Sequence, residues 1–179
     1  MKLNNHALII GGTGMLAGVC LHLAHEGYSV SVIGRTLSKY KRLKVESPSN
    51  SIFPLLVDYD TDNVYEEINN AILERGSFDL IISWTPNYSV LERICAMNDG
   101  DKPFRLVHVK GSGRYFEDEP ILIPTQCNYQ KVFLGFVMEN SGSRWLTHSE
   151  IANGVIKQIE TGEKMGIIGQ IDPYEARPR

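Results

Sequence analysis

The chain lacks the features that mark several specialised protein classes. Its 18 lysines and arginines against 21 aspartates and glutamates leave a formal net charge of −3, which gives no overall positive field to attract nucleic acid or an anionic membrane. Its three cysteines are an odd number without Cys-x-x-Cys spacing, which predicts free thiols in a reducing compartment. The N-terminus has only four apolar residues, 7–10, before a glycine, too few for a signal peptide or a membrane span. We therefore expect a cytoplasmic protein that binds neither nucleic acid nor membrane.

The composition is that of an ordinary globular protein. Hydrophobic residues make up 42% of the 179 residues and charged residues 22%, which excludes disordered, collagen-like and coiled-coil chains. This length corresponds to one domain at about 150 residues per domain, and the sequence contains no internal repeat or linker. His22 and His25 have one-turn spacing, but only Cys20 lies nearby as a further ligand type. We expect residues 1–179 to form a single domain without a metal site.

The order of apolar segments predicts the fold class. Short β-branched runs alternate with longer segments of helical period, which is typical of a parallel sheet with helices on both faces. The predicted strands are residues 7–10, 29–33, 52–57, 80–83 and 105–109, and the predicted helices between them are residues 15–26, 38–44, 62–75 and 89–97. After a loop of about 20 residues, a strand is predicted at 131–138, a helix from the capping box of Thr147 and Glu150 to Gly162, and a strand at 165–168. We expect a three-layer α/β fold with a mostly parallel, doubly wound sheet of six to seven strands.

The strongest chemical signal is a glycine-rich turn between the first predicted strand and the first predicted helix. It reads Gly11-Gly12-Thr13-Gly14-Met15-Leu16-Ala17-Gly18. At such a turn Gly11 allows a tight backbone, and Gly14 lets the main chain approach a pyrophosphate. The N–H groups at the helix N-terminus point at the anion with the helix dipole behind them. The alternative is a turn that merely connects strand to helix, but the strand–turn–helix context favours a nucleotide site.

This segment resembles the nucleotide loop of the short-chain dehydrogenase/reductase superfamily, in its Gly-x-x-Gly-x-x-(Gly/Ala) form. Further similarities follow the second, third and fourth predicted strands, at Gly34-Arg35, Val57-Asp58 and Ser83-Trp84-Thr85-Pro86. In that family these places touch the adenosine phosphate, the adenine and the ribose. The resemblance implies a Rossmann-like NAD(P)-binding oxidoreductase. The residues that it assigns to the cofactor are Gly11, Thr13, Gly14, Met15, Leu16, Arg35, Thr36, Lys39, Asp58, Ser83, Trp84 and Thr85.

The end of the second predicted strand indicates which nucleotide binds. An NAD enzyme presents an Asp or Glu there to accept from the ribose hydroxyls, whereas this chain has Gly34-Arg35-Thr36. A guanidinium pairs bidentately with a 2′-phosphate, and Thr36 and Lys39 add a hydroxyl and a second positive charge. NADP(H) is therefore favoured over NAD. The alternative for these basic residues is a solvated helix face.

The catalytic signature of that family is missing. Its members carry Tyr-x-x-x-Lys on a helix after the fifth strand, where the lysine lowers the tyrosine pKa for proton donation. The one match, Tyr40 with Lys44, follows the second predicted strand, and we interpret it as accidental. The loop after the fifth predicted strand offers three catalytic candidates instead: Ser112, about where the family has its serine, and Lys110 or Tyr115 as proton donor. Each has an ordinary alternative as a turn former or a solvated side chain.

The sequence therefore predicts an NADP(H)-binding protein, similar to short-chain dehydrogenase/reductases, that reduces a small carbonyl or imine substrate by hydride transfer. The alternative is a non-catalytic NADP(H) sensor or regulatory protein, which the missing tyrosine–lysine pair favours. A third alternative is a structural subunit that pairs through the strand near residues 133–138 and binds no nucleotide. A small-molecule substrate is the expected partner, and the chain is compatible with a homo-oligomer. His108 is expected to be a packed or edge residue of its strand.

Overall fold

The computed structural model of this chain describes residues 4–98 and 100–179. Its strands are β1 (His6–Ile10), β2 (Ser29–Gly34), β3 (Ile52–Leu56), β4 (Leu80–Ser83), β5 (Phe104–Gly111), β6 (Cys127–Leu134), β7 (Phe136–Glu139), β8 (Gly142–Trp145) and β9 (Met165–Ile168). Its helices are α1 (Ala17–His25), α2 (Leu37–Glu46), α3 (Asn63–Arg75), α4 (Tyr88–Met97), α5 (Gly113–Phe116) and α6 (His148–Thr161), followed by a short 3-10 helix, Tyr174–Ala176. Every element predicted in the first half is present, and its ends differ by at most two residues from the prediction.

Seven strands form one sheet in the order β3-β2-β1-β4-β5-β6-β9. Neighbouring strands of this sheet are parallel throughout. The central strand β1 is buried along its whole length, as expected for an apolar run with helices on both sides. One apolar core joins the sheet to α1, α2 and α6, and a second core joins its other face to α3 and α4. The predicted three-layer, doubly wound α/β fold is confirmed.

The predicted strand at 131–138 is wrong as a single element. β6 begins earlier, at Cys127, and ends at Leu134, and β7 starts after a break at Gly135. A Cβ on Gly135 would collide with the main chain of Gln170. Phe136 and Gln170 exchange two main-chain hydrogen bonds of 2.9 Å there, so β7 leaves the sheet. It pairs instead with β8 in an antiparallel hairpin, which the sequence did not predict.

Helix α6 lies on the same face of the sheet as α1. A Cβ on Gly18 would lie 2.8 Å from the Cβ of Ala152, so the two helices approach closely. The β1–α1–β2 crossover steps toward β3, whereas the β6–α6–β9 crossover steps toward the opposite edge. Two crossovers that step in opposite directions with helices on the same face have opposite hands. Because about 98% of such crossovers are right-handed, we infer that β6–α6–β9 is the left-handed one.

A buried histidine joins three segments at the amino end of β1. His6 is 1% exposed, its Nδ1 lies 2.7 Å from the carbonyl oxygen of Gly76, and its Nε2 lies 2.7 Å from Oγ of Ser31. Because a carbonyl oxygen only accepts, Nδ1 carries the proton and Nε2 accepts from the hydroxyl. Burial lowers the pKa of His6 from 6.5 to about 4; the Gly76 carbonyl opposes this shift, and the nearby Arg75 charge adds to it. The folded chain therefore holds this imidazole neutral.

The structure also bears on thiols, membrane spans and metals. Cys20, Cys95 and Cys127 are free, and the reducing compartment stays a prediction. Within residues 4–98 and 100–179, no helix has the length and apolar character needed to cross a membrane. The same residues bring together no group of three or more His, Cys, Asp or Glu side chains that could hold a metal ion.

Candidate active site

The glycine-rich turn lies at the carboxyl end of β1 and leads into α1. Gly11 has a φ of +91°, a backbone conformation that favours glycine. A Cβ on Gly12 would lie 2.6 Å from Sγ of Cys20, so packing requires glycine at that position. A Cβ on Gly14 would meet nothing nearer than the carbonyl oxygen of Gly11, at 3.9 Å. Gly14 therefore faces open space, and a ligand has room to approach the main chain there.

The turn also presents unbonded main-chain donors. Among the described residues, none accepts a hydrogen bond from the N–H of Thr13, Met15 or Leu16. Helix α1 follows with nine residues, and the positive end of its dipole lies at the same place. Open space at Gly14, unbonded donors and a helix N-terminus together suit an anionic group such as a phosphate.

The carboxyl end of β2 carries the residues predicted to select the nucleotide. The side chain of Arg35 is 77% exposed and lies 3.6 Å from a carboxylate oxygen of Asp58, because the ends of β2 and β3 are adjacent in the sheet. Thr36 directly precedes α2 and Lys39 lies in its first turn, and both are exposed. An exposed ion pair is worth about 0–1 kcal/mol, so the contact with Asp58 does little to hold Arg35 back from another anion.

Tyr40 is a residue of α2 whose side chain packs into the core against the sheet. Its side chain is 1% exposed, and its hydroxyl donates to the main-chain oxygen of Val32 at 2.7 Å. Burial raises the pKa of this phenol. Lys44 is exposed on the same helix. The Tyr40–Lys44 pair therefore has no route to a reacting atom, in agreement with its interpretation as accidental.

The remaining residues assigned to the cofactor differ in access. Leu16 and Ser83 are completely buried. Trp84 follows β4 and extends along the sheet edge: a Cβ on Gly11 would lie 3.2 Å from its Cβ, and a Cβ on Gly111 would lie 3.9 Å from its Cη2. The indole thus reaches from the glycine-rich turn to the end of β5.

A cavity of about 530 Å³ opens beside this indole, at the carboxyl ends of β4 and β5. Ligands of doubly wound α/β proteins bind at this edge of the sheet. The walls come from the turn after β4, the start of α4, the end of β5, and α5. The lining includes Trp84, Thr85, Tyr88, His108, Lys110 and Arg114.

Lys110 is the buried cation of this cavity, with 1% of its side chain exposed. Its Nζ donates to both carboxylate oxygens of Asp118, at 2.7 and 2.9 Å, and lies 4.8 Å from the centroid of the Tyr88 ring. An ammonium group has three donors, so one N–H remains beyond the two on Asp118. Burial lowers the pKa of Lys110, while the Asp118 carboxylate opposes that shift.

Asp118 is the centre of a small charge cluster. It also accepts from Nζ of Lys131 at 3.0 Å and from the hydroxyl of Tyr88 at 3.1 Å. Burial works to raise the pKa of the Asp118 carboxyl, but the hydrogen bonds from the two lysines outweigh it and hold that pKa well below its usual range. Burial, together with the Asp118 charge, raises the pKa of Tyr88 to about 12. Asp118 stays ionised and Tyr88 keeps its proton, whereas the Lys110 proton is made easier to remove.

The other two catalytic candidates lie next to this cavity. Ser112 is 7% exposed, and its Oγ lies 3.4 Å from the hydroxyl of Tyr174. Tyr115 is 42% exposed and packs edge-on against Phe133, with 5.4 Å between the ring centroids. Among the described residues, the lining includes Lys110 but not Ser112 or Tyr115. The structure thus brings one of the three candidates to the cavity.

Neither Tyr88 nor Asp118 is predicted from the sequence as a site residue, and His108 is expected there only as a packed or edge residue of its strand. Asp118 had a signal, since it lies in the acidic run at 117–119, and a buried lysine needs a counter-charge nearby. His108 shares with Lys110 the signal of lying near the end of β5, whereas Tyr88 has no such signal. The place of Tyr88 in the cavity depends on how α4 packs across β5, which no local sequence pattern encodes.

Comparisons with known proteins give the fold. No family model matches this chain, and the search of curated proteins found no match. The bulky-bulky ketone specific alcohol dehydrogenase from Comamonas testosteroni is 13% identical, with a TM-score of 0.70 over 97% of this chain and 90% of that chain. A short-chain dehydrogenase/reductase from Serratia marcescens is 13% identical, with a TM-score of 0.68 over 95% of this chain and 98% of that chain. A short chain dehydrogenase from Bacillus anthracis is 14% identical, with a TM-score of 0.67 over 92% and 94%. The fold is that of the short-chain dehydrogenase/reductases.

The connection from β5 to β6, residues 112–126, contains one short helix. Helix α5 has four residues, and the fully described stretch 117–126 that follows contains no other helix. The family's Tyr-x-x-x-Lys pair belongs to a helix at this place, so this chain has no equivalent position for it. Lys110 lies next to the last residue of β5, and Asp118 lies near the middle of the connection, where its carboxylate reaches back to Nζ of Lys110.

Proposed function

We propose that this protein is an NADP(H)-dependent reductase that acts on a small carbonyl or imine substrate. The observation that carries the proposal is Lys110, a buried lysine with a lowered pKa in a cavity at the carboxyl end of β5. That cavity lies on the same sheet edge as the glycine-rich turn. Perturbed titratable groups in a cleft are typical of catalytic sites.

The chain offers binding residues for three parts of NADP(H): the pyrophosphate, the 2′-phosphate and the nicotinamide half. The open main chain at Gly14 and the N-terminus of α1 suit the pyrophosphate. Arg35, just after β2, and Lys39, in the first turn of α2, are exposed cations, and they suit a 2′-phosphate. Trp84 runs from the turn toward the cavity, so it would line the nicotinamide half. When bound, NADPH supplies the hydride.

Lys110 would supply the proton. Reduction of a C=O or C=N bond places a hydride on carbon and a proton on oxygen or nitrogen, so the site needs an acid. Asp118 fixes Nζ with two hydrogen bonds, and the third N–H of the ammonium remains for the substrate. The lowered pKa makes Lys110 a better acid than an exposed lysine, whereas Tyr88 is held protonated.

The test is NADPH oxidation, followed by absorbance, with a panel of small ketones, aldehydes and cyclic imines. Lys110→Met is expected to lower kcat by about 10²–10⁴-fold, the usual contribution of a general acid. Lys131→Met is the matched control, because Lys131 also donates to Asp118 but does not line the cavity among the described residues; it should retain most of the activity. Ser112→Ala and Tyr115→Phe complete the set. A large loss from either of these with none from Lys110→Met would contradict the proposal.

The non-catalytic sensor is the second candidate, favoured by the four-residue α5 where the family has its catalytic helix. The sensor would have the same nucleotide site as the proposed reductase, but it would not transfer a hydride to a substrate. Tight NADPH binding without NADPH oxidation across the panel would favour the sensor.

A further inference from the structure

His108 is a buried imidazole on β5 that the proposed acid does not use. It is completely buried, and its ring lies edge-on to Tyr88 with 4.8 Å between the centroids. Its Nδ1 lies 2.9 Å from the hydroxyl of Tyr129 on the neighbouring strand β6. Lys110 follows two residues later, and in a strand this spacing puts both side chains on the same face, about 7 Å apart along the chain.

The hydrogen bond with Tyr129 determines the tautomer of this ring. Within the described part of the chain, the Tyr129 hydroxyl has no other acceptor, and a buried hydroxyl proton without an acceptor is costly. Tyr129 therefore donates to Nδ1, which leaves the ring proton on Nε2. Burial, with Lys110 adding to it, lowers the pKa of His108 to about 3. The ring is thus neutral near pH 7, with an N–H at Nε2.

The Nε2 atom is buried and has no hydrogen-bond partner among residues 4–98 and 100–179. The Thr85 main chain favours a proton on the ring but does not satisfy Nε2. Nδ1 is directed at Tyr129, so Nε2 lies on the far side of the ring, toward Thr85 and the cavity that both residues line. A buried N–H without an acceptor is rare in folded proteins, and this one is placed where a ligand would supply the acceptor.

We propose that His108 donates a hydrogen bond from Nε2 to the carbonyl oxygen of the substrate, next to the Lys110 ammonium. This inference rests on the proposed reductase function and narrows its substrate class. Two donors, Nε2–H and Nζ–H, require an acceptor atom with two lone pairs. A carbonyl oxygen has two, whereas an imine nitrogen has one, so the site selects a ketone or aldehyde over an imine. As hydride reaches the carbon, the oxygen gains negative charge and both hydrogen bonds strengthen.

The first test uses the wild-type chain and does not depend on turnover. Long-range ¹H–¹⁵N NMR distinguishes protonated from unprotonated imidazole nitrogens, and His108→Gln assigns the signals. We expect the Nε2–H tautomer, and we expect isobutyramide, an unreactive amide with a carbonyl acceptor, to shift the Nε2 resonance saturably. A proton on Nδ1, or an Nε2 resonance that no amide concentration moves, would overturn the inference.

The second test is kinetic. His108→Phe removes the donor, and kcat/KM for ketones should fall by about 10²–10³-fold, as when one oxyanion donor is lost. His108→Gln restores an N–H donor near the Nε2 position. Its kcat/KM for ketones should be at least tenfold higher than that of His108→Phe. Equal losses in both variants, or wild-type turnover of imines but not of ketones, would refute the role. Absence of any NADPH oxidation would refute the proposed reductase, while the NMR experiment still decides whether Nε2 binds a carbonyl oxygen.

Discussion

The buried imidazole of His6 should make the protein lose stability as the pH falls below 6.5. Its pKa is about 4 in the folded chain and 6.5 as a model value, so between these limits the unfolded chain takes up a proton that the folded chain does not. The stabilisation from the neutral ring is complete above pH 6.5 and is lost progressively as the pH falls toward 4.

The size of this effect follows from the shift in pKa. At 1.36 kcal/mol per pKa unit, the shift of His6 contributes about 3 kcal/mol to the free energy of unfolding. About 2 kcal/mol of this contribution is lost between pH 7 and pH 5. Burial lowers the pKa of His108 to about 3. Its contribution to the free energy of unfolding should therefore fall by a similar amount between pH 7 and pH 5. A typical domain has a free energy of unfolding of about 5–15 kcal/mol, so the two histidines together decide whether the fold survives mild acid.

Urea unfolding at pH 7, 6 and 5, followed by circular dichroism, measures the free energy of unfolding at each pH. His6→Gln should remove about half of the pH dependence, because a glutamine amide does not titrate. It will also lower stability at pH 7 through the altered hydrogen bonds to Ser31 and Gly76. His148→Gln, at the exposed start of α6, is the control and should leave the pH dependence unchanged. If the free energy of unfolding of His6→Gln depends on pH as steeply as that of the wild type, burial of His6 does not govern acid stability.

Two further predictions concern the nucleotide site, and a third concerns the buried Tyr40. NADPH should bind more tightly than NADH, and Arg35→Glu should abolish or reverse that preference, because a carboxylate repels a 2′-phosphate but accepts from a 2′-hydroxyl; titration of nucleotide fluorescence measures both affinities. Gly14→Val should abolish binding of both nucleotides and keep the fold, since its Cβ would meet nothing within 3.9 Å in the free protein. Tyr40→Phe should leave any turnover rate unchanged but lower the free energy of unfolding by about 1 kcal/mol, because its hydroxyl bonds only to main-chain oxygens among the described residues.

Each of these predictions has a clear contrary result. Equal affinities for the two nucleotides, unchanged in Arg35→Glu, would remove the basis for NADP(H). Undiminished binding in a well-folded Gly14→Val would show that the glycine-rich turn is only a connection. A large loss of kcat in Tyr40→Phe would place the chemistry at the other end of the sheet edge.

The parallel sheet could be predicted because its strands are short, continuous apolar runs separated by amphipathic helices. The glycine-rich turn could be placed for the same reason, since it lies between two such elements. The break at Gly135 could not, because it depends on contact with Gln170, 35 residues along the chain. The β8 strand is short and largely polar, and its pairing with β7 depends on that break.

The candidate site was predictable only where it depends on position along a strand. Lys110 was found because it follows the apolar run of β5. Ser112 and Tyr115 are equally close in sequence, but the turn of helix at α5 directs Tyr115 to Phe133 and Ser112 to Tyr174. His108 is expected from the sequence to be a packing residue, and its Nδ1 atom is indeed hydrogen-bonded within the fold, to Tyr129. Its unpartnered Nε2 is a property of the assembled cavity.

The packing of α6 on the same face of the sheet as α1 also affects how the protein unfolds. By connectivity α6 belongs to the outer edge of the sheet, between β6 and β9, but its apolar side chains Ile151 and Val155 share a core with Val19 of α1. Detaching α6 and β9 from the sheet would therefore expose α1, the first helix of the chain. We expect the two ends of the sequence to behave as one cooperative unit, with amide hydrogen exchange in α1 and α6 reporting the same opening free energy.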